Sequence, residues 1–130
     1  QAWARGVLDR VPGSHQLRLM RCYHQPMLMS VDTDLLRVLA DPLRLQIVTL
    51  LARETLCTTH LVEETCARQT NLSNHLKVLR DAGVVDTEPC GRFTYYRLKP
   101  DVIASLAGQF AELAETARAT AAADKKRACP

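Results

Sequence analysis

Leu72-Ser73-Asn74-His75-Leu76-Lys77-Val78-Leu79-Arg80-Asp81-Ala82-Gly83-Val84-Val85 is the stretch whose reading decides the fold. Leu72, Leu76 and Leu79 recur at helical spacing, so one face of a helix is apolar. Gly83 follows, a residue that adopts the left-handed conformation with which helices commonly end. The solvent side is assigned Gln69, Thr70, Asn71, Ser73, Asn74, His75 and Lys77. Gln and Asn can pair two-fold with adenine, and Ser or Thr can contact several bases. From Arg68 to Arg80 the segment carries Arg68, Lys77 and Arg80 and no acid. A solvated polar helix would look the same in isolation, so its neighbours decide.

Upstream, Thr58-Thr59 offers a cap for a short helix carrying Leu61 and Val62, and Ala67 to Gln69 make a turn. Short helix, turn and second helix form a helix-turn-helix, whose second helix enters the DNA major groove. Downstream, Val84 to Glu88 and Arg92 to Leu98 flank Pro89-Cys90-Gly91, which reads as a β-hairpin. Arg92 at its tip suits a phosphate or the minor groove. Further upstream, helical signal begins near Ser30 with Leu35, Leu36, Val38 and Leu39. Asp41-Pro42 then restarts the chain as a cap followed by a first-turn proline, and Leu43, Ile47, Leu50 and Leu51 give a second helix ending near Ala52. Lys99-Pro100-Asp101 starts the last helix, where Ile103, Leu106, Phe110, Leu113 and Ala117 repeat at steps of 3 and 4, a two-helix seam pattern. The expected fold is mainly α with a β-hairpin wing (α+β): a winged helix-turn-helix of five helices, assembled as a homodimer.

The chain has 130 residues, which sets it up as one domain, and its apolar content of 47% and charged content of 24% are ordinary for a globular protein. A net charge of +3 permits nucleic-acid binding without demanding it, so the placement of charge matters more than the total. No apolar run approaches the roughly 20 residues a membrane span needs. The first residues are broken by Arg5, Asp9, Arg10, His15, Arg18 and Arg21, unlike a signal peptide. The expected location is therefore the cytoplasm, with no membrane partner. There the five cysteines, Cys22, Cys57, Cys66, Cys90 and Cys129, are expected as reduced thiols. Residues 1–29 carry no sustained period, and Val11-Pro12-Gly13-Ser14 reads as a turn. They are set apart as a flexible leader or an over-long start, with Met27 and Met29 as alternative starts. The domain is placed at 30–120 and a flexible basic tail at 121–130, ending Lys125-Lys126-Arg127-Ala128-Cys129-Pro130.

Residues 36–98 resemble the ArsR/SmtB family of metal-responsive repressors. The likeness lies in Leu39-Ala40-Asp41-Pro42-Leu43-Arg44-Leu45-Gln46-Ile47, in the stretch from Leu72 to Val85, and in Gly91-Arg92-Phe93-Thr94-Tyr95-Tyr96-Arg97-Leu98. The resemblance implies a winged-helix homodimer built on the first and last helices. It also implies repression, with release from operator DNA when an inducer binds and no cofactor needed for DNA binding. The chain departs from the pattern where a polar cap usually opens the recognition helix. Arg68 stands there, and Thr70 is expected to cap instead.

The family's arsenic sensors carry Leu-Cys-Val-Cys-Asp-Leu, where this chain reads Leu56-Cys57-Thr58-Thr59-His60-Leu61. One thiol is kept and its partner is replaced. Thiolates suit soft ions, so arsenite or a soft metal is the expected inducer, with Cys57 and Cys129 as candidate ligands. Cys66, at a turn where the family usually has Gly, is left undecided with Cys90 and Cys22. The family's zinc and cobalt sensors use His and acidic ligands on the last helix, and residues 101–120 contain no His. His60 could join Cys57, but as a helix-start residue it is expected to face water. His75 is read as a DNA contact.

Two other classes compete. A thiol redox switch would use Cys57 with His60, three residues on, lowering its pKa. An enzyme of that kind would need a third orienting residue and a pocket, neither of which the sequence offers. A winged-helix interaction module without DNA is disfavoured by the acid-free polar face of the recognition helix.

Overall fold

The computed structural model describes residues 31–130. The leader at 1–29, the helical start near Ser30 and Cys22 lie outside the described residues.

The described chain opens with helix α1, Thr33–Leu39, and helix α2, Pro42–Leu51. Both are started by Asp. Asp32 Oδ1 accepts the Leu35 N–H at 3.0 Å, and Asp41 Oδ1 accepts those of Leu43 and Arg44 at 3.0 and 3.1 Å. Asp41-Pro42 thus restarts the chain as its residue types require, the proline at a position whose N–H has no helical partner. Strand β1, Leu56–Cys57, leads into helix α3, Thr58–Thr65, and then helix α4, Gln69–Asp81. Strands β2, Val85–Cys90, and β3, Phe93–Leu98, make the wing, and helix α5, Pro100–Ala122, closes the chain. Among the described residues this is five helices and a three-stranded antiparallel sheet of order β1-β3-β2.

The sheet has one strand more than the expected hairpin. Leu56 and Cys57 pair with Tyr96 and Tyr95 on the outer side of β3. Two residues carry no period of their own, so this strand exists only through its long-range partner. The wing registers from Val85 opposite Leu98 to Cys90 opposite Phe93, and Gly91 turns it at φ 60°.

One apolar core unites these elements. Ile47, Leu61, Leu72, Leu76, Leu79, Val84 and Val85 are fully buried, with Leu39, Val48, Leu51, Leu56 and Leu106 around them. Each Leu or Ile so buried contributes about 1.5–3 kcal/mol. Leu72, Leu76 and Leu79 are the predicted stripe of α4, and they fix which of its faces points outward. The helix stops where Gly83 takes φ 76°. There the Val84 N–H reaches the Leu79 carbonyl at 2.9 Å and the Gly83 N–H reaches that of Arg80 at 3.0 Å.

Helix α5 divides its seam residues. Leu106 is buried and Ile103 half-buried against the chain's own core, while Phe110 and Leu113 stay exposed. Of the dimer seam expected at Ile103, Leu106, Phe110 and Leu113, the first two pack into the chain's own core, because the first turns of α5 lie across it. Gln109 Oε1 accepts the Asp32 N–H at 2.8 Å and ties α5 to the start of α1. The helix continues to Ala122, so it takes in the first two residues assigned to the tail. No described helix is long and apolar enough to cross a membrane.

Candidate nucleic-acid interface

Helices α3 and α4 meet through a turn at Cys66. The chain bends there because Cys66 adopts the left-handed conformation, φ 57° and ψ 16°, while its N–H bonds the Val62 carbonyl. A β-carbon is disfavoured in this conformation by roughly 1–2 kcal/mol. Thr65 supports the turn: its Oγ1 donates to the Leu61 carbonyl and accepts the Ala67 N–H.

Arg68 is the N-cap of α4 and makes no side-chain capping bond. Thr70 lies inside the first turn and does not serve as the expected cap. The leading N–H groups of α4 thus receive no capping side chain, the arrangement in which a helix N-terminus attracts a phosphate oxygen. Gln69, Thr70, Asn71, Ser73, Asn74 and Lys77 are all exposed.

His75 is not one of them. Its side chain is 19% exposed, and its Nδ1 lies 3.1 Å from Arg44 Nη1 and 4.0 Å from Asp41 Oδ1. The expectation of a DNA contact is corrected here, since His75 falls on the seam between α4 and α2. A spacing of three from Leu72 and four to Leu79 carried that signal in the sequence. The Asp41–Arg44–His75 group it belongs to was missed by sequence reasoning.

Charge is distributed to the same effect. On the wing, Arg97 pairs with Glu88 at 2.6 Å and Lys99 with Asp86 at 3.2 Å. Arg68, Lys77 and Arg92 have no carboxylate within 4.0 Å among the described residues. Among the described residues, cations without a carboxylate partner thus stand at the start of α4, along its outer face and at the exposed wing tip, as they also do at Arg53 and in the tail at Lys125, Lys126 and Arg127.

The described thiols, Cys57, Cys66, Cys90 and Cys129, form no disulfide. Cys57 is 3% exposed and is itself the N-cap of α3, a place expected for Thr58 or Thr59. His60 does not simply face water: its Nδ1 accepts the Cys57 N–H at 3.3 Å and lies 3.3 Å from Cys57 Sγ. Its ring stands edge-on to Tyr95 at 6.0 Å. Cys66, Cys90 and Cys129 are exposed and unbridged. Among the described residues no three His, Cys, Asp or Glu side chains gather as a ligand set. The donors at Cys57 fit a thiophilic ligand in kind but not in number, because a thiol and an imidazole leave a metal sphere open.

Comparison with known proteins agrees with this geometry. The family model described as bacterial regulatory protein, arsR family, matches residues 41–87. A transcriptional repressor SmtB homolog of Synechocystis is 31% identical over 93 residues, covering 68% of this chain and 70% of that protein. The chain belongs to the arsR family. Within it, the HTH-type transcriptional repressor SmtB of Mycobacterium tuberculosis is 45% identical over 65 residues, or 50% of this chain. The match spans about half that repressor's length, 48%. The crystal structure of a "possible transcriptional regulator for arsenical resistance" superposes with a TM-score of 0.57 at 35% identity, covering 72% of this chain and 98% of that one. These relatives are named as transcriptional regulators or repressors, and the solved one shares the fold described above.

Proposed function

We propose that this chain is a DNA-binding transcriptional repressor that works as a homodimer on an operator in double-stranded DNA. The observation that carries it is the outer face of α4, where Gln69, Thr70, Asn71, Ser73, Asn74 and Lys77 stand exposed beside uncapped N–H groups and free cations. Amide and hydroxyl groups read base edges, and Arg68, Lys77 and Arg92 hold phosphates. Phe110 and Leu113 on α5, with Leu36 on α1, are exposed apolar residues on the two helices a dimer would use.

Its inducer is a thiol-seeking species, arsenite first among them. Cys57 sits at the joint of β1 and α3, one helix before the DNA-reading helix, and Cys129 on the C-terminal tail is the first candidate for a second thiol. The 3.3 Å contact between Cys57 Sγ and His60 Nδ1 favours a second reading, a redox switch. There the Cys57 thiol gives up its proton, its sulfur attacks one oxygen of hydrogen peroxide, the O–O bond breaks, and the leaving hydroxide takes up that proton, so a sulfenic acid and water result.

A mobility shift on the DNA upstream of the protein's own gene tests both, with arsenite, cadmium, zinc and peroxide in parallel lanes. Release by arsenite alone supports the first reading, and release by peroxide alone supports the second. No shifted band in any lane contradicts the repressor reading itself.

A further inference from the structure

The contact between α2 and α4 is more than packing. Arg44 Nη1 and His75 Nδ1 lie 3.1 Å apart. A guanidinium has donors only, so His75 Nδ1 must be the acceptor. An imidazole that accepts at Nδ1 is neutral and carries its proton on Nε2. The contact thus exists in one protonation state of His75.

We propose that the Arg44–His75 contact is a proton-sensitive positioning device for the recognition helix, and that protonating His75 lowers discrimination between operator and random DNA. The inference rests on the DNA-binding reading above. His75 is a positioning residue in it, because it acts through the placing of α4.

The surroundings show why the contact cannot survive a proton. Arg44 is held at its other end, where Nε donates to the Val38 carbonyl at the α1–α2 corner. It cannot simply follow a displaced ring. A protonated His75 would set N–H against N–H and two like charges about 3 Å apart, which disfavours the pair. The elements packed against α4 bring other charged groups: Asp41, the cap of α2, Glu63 and Glu64 on α3, and Asp86 and Glu88 on β2. Of these carboxylates Asp41 alone lies within 4.0 Å of the ring. The Arg44 backbone N–H it accepts, with the Arg44 charge and the Leu43 N–H, holds its carboxyl below the usual carboxylate range, against the opposing effect of burial. Asp41 is therefore the anion that a charged His75 would turn to. Closing 4.0 Å to hydrogen-bond length moves the ring by about 1 Å. His75 is fixed on α4, next to Asn74 on the DNA face, so the movement is passed to that face. It also draws Asp41 from the two N–H groups it caps. Free histidine changes charge between about pH 5 and pH 8, which sets the range over which the device is to be tested.

The test is fluorescence anisotropy with an operator duplex and a random duplex, at constant ionic strength, from about pH 8 to about pH 5.5. Added positive charge raises affinity for any DNA, so the quantity to read is the ratio of the two affinities. In the unmodified protein the ratio should fall about tenfold as pH drops, the scale of losing one hydrogen bond to a charged group. His75→Asn supplies an acceptor oxygen for Arg44 and takes no proton. Its ratio should stay high and level within about twofold, a rescue that bulk alone does not explain. His75→Leu should be low at every pH. Nitrogen-15 spectra of the unmodified protein, which need neither DNA nor a variant, should show His75 protonated on Nε2 at the alkaline end. A level ratio in the unmodified protein, an equally steep fall in His75→Asn, or an Nδ1–H tautomer overturns the proposal. Absence of binding to either duplex instead overturns the DNA-binding reading, and this inference with it.

Discussion

Cys57 Sγ and His60 Nδ1 stand 3.3 Å apart, and the same ring nitrogen accepts the Cys57 backbone N–H. The thiol is thereby fastened to the first turn of α3 and, through the pairing of Cys57 with Tyr95, to the wing. A ligand that pulls on Sγ pulls on both parts that flank α4.

Cys57→Ser should therefore leave operator binding intact and abolish release by arsenite. The side chain is nearly the same size, so the buried site survives, but a hydroxyl is a far poorer soft-ion ligand than a thiolate. Truncation after Ala128, which removes Cys129, should blunt the response as well. Titration of the protein–operator complex with arsenite measures both. Release of the Cys57→Ser protein at unchanged arsenite concentration would place the inducer site elsewhere.

Base reading and backbone holding should separate by mutation. Asn71→Ala and Gln69→Ala should weaken operator binding more than random-duplex binding, each by about 1–3 kcal/mol of discrimination. Arg92→Ala should weaken both alike, because phosphate contacts carry no sequence information. Parallel titrations on the two duplexes decide it, and an unchanged operator preference in both amide variants would mean the wrong face has been assigned to the groove.

Cys66→Gly should stabilise the protein. Relief of the left-handed β-carbon, roughly 1–2 kcal/mol, exceeds the added freedom of glycine in the unfolded chain, about 0.4–1 kcal/mol. The urea midpoint should rise with an unchanged slope. A lowered midpoint would show that the side chain of Cys66 makes a contribution its exposure does not suggest.

Asp41→Ala should lower the thermal midpoint at neutral pH, since two N–H groups at the start of α2 lose their acceptor. The folded carboxyl titrates below its ordinary value. Its contribution is thus present above the unfolded pKa and lost as pH falls through the folded one. The gap between the two proteins should narrow only in the acid range. A gap that already closes near neutrality would contradict the assignment to Asp41.

Much of this fold is legible in the sequence, and the illegible parts share one cause. Leu72, Leu76, Leu79 and Gly83 act within a single helix, so spacing alone announces them. Asp41-Pro42 and Gly91 are equally local. Strand β1 is not, because Leu56 and Cys57 become a strand only against Tyr95 and Tyr96, 38 to 40 positions away. His75 belongs to both kinds: its spacing placed it beside the apolar stripe, but its partners Asp41 and Arg44 come from α2. The capping role of Cys57 was hidden for a similar reason, since Thr58 and Thr59 are the commoner residue types for it.

The central claim is that α4 and the wing tip hold duplex DNA through Arg68, Lys77, Arg92 and the uncapped start of α4. Operator affinity measured against salt concentration tests it most directly. If about six phosphates are neutralised across the dimer, the logarithm of affinity should fall linearly with the logarithm of salt, losing roughly 10³-fold or more between low and moderate salt. An affinity that stays level over that range would contradict it.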